Sequence, residues 1–154
     1  MADYKKIITF LDEYIKHYVE LLSFENSKLD LIMSGKVSQL SDFLSKEQAL
    51  AMKGSSLEKK RIALMEKEGL GELTFSETIE KAPEEFKTQL TERKQQLSKY
   101  IFEIKRINEN AMMAVSENLD KINKRLRNSD INTYDEHANK KQLSKFGSSL
   151  SKNI

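Results

Sequence analysis

The chain has 154 residues, with 26 Lys and Arg against 24 Asp and Glu, no Cys, no Trp, one Pro and five Gly. Hydrophobic residues make up 38% and charged residues 32%, against roughly 45–50% and about 25% in ordinary globular chains, so the apolar surface is too small for a compact globule and suits long helices that each bury one stripe. The lack of Cys excludes disulfide scaffolds, thiolate zinc sites and cysteine catalysis. No apolar run approaches the roughly 20 residues of a membrane-spanning helix, and Met1–Lys6 leads into a stretch broken by Asp12 and Glu13 rather than a signal-peptide core, which points to a cytoplasmic protein.

Charge is distributed unevenly. Residues 1–126 hold 21 basic and 21 acidic side chains, while 127–154 hold five and three, so the whole excess of two sits in the tail. A nucleic-acid binder would show a basic face that neutralises phosphates, and the neutral body argues against one.

Residues 3–33 place Tyr4, Ile7, Ile8, Leu11, Tyr14, Ile15, Tyr18, Leu21, Leu22, Leu29 and Ile32 at alternating spacings of three and four, which predicts a helix with one buried seam, interrupted only by Glu25. Gly35 is the natural left-handed stop. A second helix is predicted over 38–67, capped by Ser38 and carrying Leu40, Phe43, Leu44, Leu50, Ala51, Leu57, Leu64 and Met65. Gly54 falls inside it at a cost of about 1 kcal/mol relative to Ala, and marks either a close contact or a weak spot.

Glu68-Gly69-Leu70-Gly71 ends that helix, and Thr74-Phe75-Ser76-Glu77 reads as a capping box opening a short helix over 75–81. Pro83 suits the first turn of the next helix, with Glu84 and Glu85 at the positive end of its dipole. That long helix, predicted over 83–127, keeps Phe86, Leu90, Leu97, Ile101, Ile104, Ala111, Val115, Leu119, Ile122 and Leu126 in phase for roughly 66 Å. The expected fold is all-α: an elongated antiparallel helical hairpin or three-helix bundle with coiled-coil-like packing, one domain over 1–127 and a flexible C-terminal tail over 128–154. In the tail, only Leu143, Phe146, Leu150 and Ile154 are apolar at spacings of three or four.

Candidate chemistry is sparse. Glu13, His17 and Glu20 share a helix face, but a bundle di-iron site needs two Glu-x-x-His pairs and further carboxylates, and no glycine spacing forms a phosphate cradle. The chain is expected to be no enzyme and to need no metal or cofactor. Phe102 and Met113 fall opposite the seam of the long helix, apolar where solvent is expected, either as scattered surface residues or as a partner-facing patch.

Three long helices, the Thr74–Glu77 cap, Ala82-Pro83-Glu84-Glu85 and then Thr133-Tyr134-Asp135 in a polar tail resemble the FlgN family of flagellar export chaperones over about residues 5–140. The resemblance implies a cytoplasmic chaperone that binds the C-terminal amphipathic segments of hook-associated proteins one and three (FlgK, FlgL), prevents their premature association and delivers them to the type III export gate. It places client binding in the C-terminal part, here Met112, Met113, Val115, Leu119, Ile122, Leu126, Leu143, Phe146 and Leu150. It also implies docking on the export gate protein FlhA at Tyr134, although Glu136-His137-Ala138-Asn139 replaces the small residue and Gly that follow the Tyr-Asp pair in many members. A homodimer when unloaded fits the same strip. The competing expectation is a structural coiled-coil protein that self-associates through its distal apolar strip.

Overall fold

In the computed structural model, which describes residues 1–127, α1 spans Tyr4–Met33, α2 Leu40–Lys67, α3 Phe75–Lys81 and α4 Glu84–Leu126. The described residues are helical and contain no strand.

Local chemistry sets the helix ends. At the start of α1 the Asp3 carboxylate accepts the Lys6 amide at 3.2 Å, a cap that the sequence reading did not use. Both long helices of the hairpin stop in the same way. Gly35 and Gly69 have φ of 75°, Lys36 donates to the Leu31 carbonyl and Gly35 to that of Ile32, and Leu70 and Gly69 repeat the pattern on Met65 and Glu66. This is a Schellman stop, in which a left-handed residue turns the chain and satisfies the last carbonyls. In α2 it is reinforced because Leu70 and Met65 are both buried.

Two starts differ in detail from expectation. Ser38 lies within a 3-10 turn, Val37–Gln39, closed by the Gln39 amide on the Lys36 carbonyl at 3.1 Å, and α2 begins only at Leu40. Pro83 stands one position before α4 rather than in its first turn, its carbonyl accepting the amides of Phe86 and Lys87. Ala82 is extended at ψ 150°, as a residue before proline must be. The Thr74 box forms as read: the Glu77 amide donates to Thr74 Oγ1 at 3.2 Å and the Thr74 amide to Glu77 Oε2 at 2.8 Å.

The residues pack as two units. The first combines Met1–Leu22 with Glu47–Ile101. Its core holds Tyr4, Ile7, Ile8, Leu11, Met65, Leu70, Ala82 and Leu90, with Leu64, Phe75, Ile79, Phe86 and Leu97 packed against it, so all four helices contribute. Full burial of side chains such as Leu90 and Ile7 stabilises by about 1.5–3 kcal/mol each. Polar contacts also join the helices of this unit, although the buried His17 Nδ1 has no hydrogen-bond partner among the described residues. Tyr14 donates to Glu58 at 3.0 Å while Arg61 forks onto the same carboxylate, and burial pushes the Tyr14 hydroxyl above its ordinary value so that it stays a donor. Arg93 reaches Asp12 at 2.9 Å.

The second unit combines Ser23–Lys46 with the described residues from Phe102 onward. Its apolar cluster is small: Ile32, Ala111 and Ala114, with Leu29, Leu40 and Val115 packed against it. The rings of Phe24 and Phe43 lie 5.5 Å apart. Leu31, Ile104 and Ile107 are buried in the same unit, and charged and polar side chains share its interior. Glu25, read from sequence as a break in the seam, is instead buried and ion-paired with Lys28 at 2.8 Å, the side chains being 0% and 1% exposed. Asn108 is also buried, and among the described residues its Nδ2 has no partner.

Candidate functional site

The second unit positions the candidate residues of α4. Small side chains at Ala111 and Ala114 let α4 approach Ile32 near the end of α1, and Asn118 donates to the Ile32 carbonyl at 3.4 Å. This carbonyl belongs to the last turn of α1 and also accepts the Gly35 amide at 3.1 Å, so Asn118 uses its second lone pair. Asn118 was not singled out by the sequence reading, since a lone Asn in a polar stretch carries no signal of that role. It marks the level at which α1 stops while α4 continues to Leu126.

Beyond that level the seam continues. Ile122 follows Val115 by seven residues and lies within about 20° of it around the helix, yet Val115 packs against the chain's own cluster while Ile122 is 44% exposed. Leu119 and Leu126 are half-buried and fall with Ile122 inside a sector of about 60°. These three form a short apolar strip interspersed with Lys121, Lys124 and Arg125 and followed by Arg127, basic residues that suit a helix C-terminus.

The candidate residues are therefore not one surface. Met113 is nine residues from Ile122, half a turn away, and is 62% exposed on the same side as Phe102 at 66%. Met112 is half-buried. Leu143, Phe146, Leu150 and Tyr134 lie outside the described residues.

The face with Glu13, His17 and Glu20 has another use. Lys60 binds Glu13 and Lys53 binds Glu20, both at 2.8 Å, and that bond from Lys53 holds the pKa of Glu20 below the usual carboxylate range. His17 is buried beside Gly54, where a Cβ would stand 3.1 Å from its Nε2, so the helical glycine marks a close contact. Burial first, and the nearby Lys53 charge second, hold His17 below its ordinary pKa, with Glu20 opposing. Among the described residues no group of three His, Cys, Asp or Glu is arranged to hold a metal, and no helix is long and apolar enough to cross a membrane.

The family model described as FlgN protein matches residues 1–142. The chain belongs to the FlgN family. Neither the curated proteins nor the solved structures gave a match. The FlgN match takes in all four helices and reaches past Tyr134, while Leu143, Phe146 and Leu150 fall beyond it. FlgN membership supports a flagellar export chaperone role and, with it, binding of flagellar hook-associated proteins.

Proposed function

We propose that the chain holds the C-terminal amphipathic segments of hook-associated proteins one and three (FlgK, FlgL) on the strip Leu119, Ile122 and Leu126, and delivers them in the cytoplasm to the export gate protein FlhA through Tyr134. In this reading residues 1–127 are the chaperone domain and 128–154 the tail that carries the docking tyrosine. The observation behind it is the seam of α4 running on past Asn118: Ile122 keeps the phase of Val115 but is 44% exposed, with α1 ending at Met33. A client helix laid along α4 would cover the side chains that α1 no longer reaches, the groove mode by which amphipathic helices bind.

A calorimetric titration with the C-terminal segment of either hook-associated protein from the same organism tests the reading. Saturable one-to-one binding is expected, lost in Leu119→Asp and Ile122→Asp and retained in Met113→Asp, which lies half a turn away. Tyr134→Ala should leave client affinity unchanged and weaken binding of the loaded chaperone to the export gate protein. Equal client affinity in Ile122→Asp and the native chain would overturn the placement of the strip, and equal gate affinity in Tyr134→Ala would remove that tyrosine.

A further inference from the structure

A second stripe runs along α4. Phe102, Arg106, Glu109, Met113, Glu117 and Asp120 follow one another at spacings of four, three, four, four and three, and so fall within about 40° of Met113 around the helix. All six are exposed. Arg106 is already paired with Glu103 at 2.7 Å, whereas Glu109, Glu117 and Asp120 have no ion-pair partner among the described residues. From Asn108 to Asp120 the helix has three acidic residues and no basic one. The stripe is thus apolar at Phe102 and Met113 and anionic between and beyond them.

The end of the chain has the complementary composition. After Glu136 it contains no acidic residue, four lysines at 140, 141, 145 and 152, and the apolar residues Leu143, Phe146, Leu150 and Ile154. The first and last of these are eleven residues apart, the separation that also divides Phe102 from Met113. We infer that segment 140–154 docks back on the Phe102–Asp120 stripe of its own α4, running antiparallel to it. Leu143, Phe146 and their neighbours cover Met113 and Phe102, and the lysines meet Glu109, Glu117 and Asp120.

The connection has the right length. Twelve residues lie between Arg127 and Lys140, and the random-coil span for that number is roughly 17–21 Å. Met113 lies about 21 Å back along the helix from Arg127. A linker matched to its span gives an effective concentration in the millimolar range, which favours the chain's own segment over one from a second copy. The stripe faces away from Ile122, so this docking leaves the proposed client strip open and does not depend on the client reading.

Methionine oxidation reads the contact without altering the protein. Met33 and Met52 are each 69% exposed and Met113 is 62% exposed in the described residues, so bare side chains would react with dilute hydrogen peroxide at similar rates. In the full chain at low salt, Met113 is expected to oxidise at least three times more slowly than Met33 and Met52, independently of protein concentration. That protection should vanish in the triple variant Lys140→Glu, Lys141→Glu, Lys145→Glu and in Phe146→Asp. Equal rates at the three methionines would overturn the inference. So would protection that grows with protein concentration, which would assign the stripe to a second copy, or protection that survives charge reversal.

Discussion

His17 on α1 fills the space that Gly54 leaves open on α2: a Cβ added at Gly54 would stand 3.1 Å from the imidazole Nε2. That contact is tighter than ordinary van der Waals packing, so the glycine's propensity cost of about 1 kcal/mol is offset by room for a buried ring. The two positions should therefore be energetically coupled. Gly54→Ala alone is expected to change stability by less than the helix-propensity gain, and the same change in a His17→Ala background to realise the gain in full. Urea unfolding of the four proteins of this cycle measures the coupling. Strict additivity would show that the close approach carries no energy.

The same histidine gives the protein a sensitivity to acid. Burial lowers its pKa in the native state, so the unfolded chain binds the proton more readily and stability falls as pH drops below about 6.5, the ordinary histidine value. The loss continues until the lowered native pKa is passed, at about 1.4 kcal/mol per pH unit at most. The informative quantity is the difference between the native chain and His17→Gln. It should shift in favour of the variant between pH 7 and pH 5 in thermal or urea unfolding. A constant difference would mean that the ring is solvated.

Thr74→Ala removes the acceptor for the Glu77 amide and should cost about 1 kcal/mol, with Thr74→Ser close to native. The effect is local to α3, whose seven residues cannot hold a helix without capping and packing. Amide exchange across 75–81 should rise in the alanine variant before global stability changes appreciably.

Lys28→Met removes the cation 2.8 Å from the buried Glu25 carboxylate. Breaking such a pair from one side costs about 3–5 kcal/mol, far above the 0–1 kcal/mol of an exposed pair such as Lys53 with Glu20. Chemical denaturation of Lys28→Met and Lys53→Met side by side would expose the difference, and equal losses would show that the Glu25 site is hydrated.

These cases also show what sequence makes legible. Gly35, Gly69 and the Thr74–Glu77 box act over three to six residues, so their chemistry can be read directly from the order of the side chains. The half-turn between Ile122 and Met113 is likewise arithmetic on a helix. Glu25 and Lys28 look like an ordinary surface pair at i,i+3, and only the packing of other segments decides that they are buried. The burial of His17 is not legible from its own helix, because the gap that receives it lies 37 positions away at Gly54. Exposure at Ile122 depends on the longitudinal offset between α1 and α4, which Asn118 and Ile32 reveal and which periodicity leaves undetermined.

Both packing units are assembled from separated stretches of chain: the first needs residues up to Ile101 and the second needs Ala111 and Ala114 against Ile32. Tyr4 and Ile7 share their core with Leu90, so during synthesis they wait for partners made more than eighty residues later. Neither unit can close while only α1 and α2 have emerged, and the apolar seam of that early hairpin stays uncovered until most of α4 follows. Folding during synthesis is thus delayed until α4 has been made. A premature stop within α4 would release a chain with an open seam, a candidate for aggregation rather than a smaller working protein.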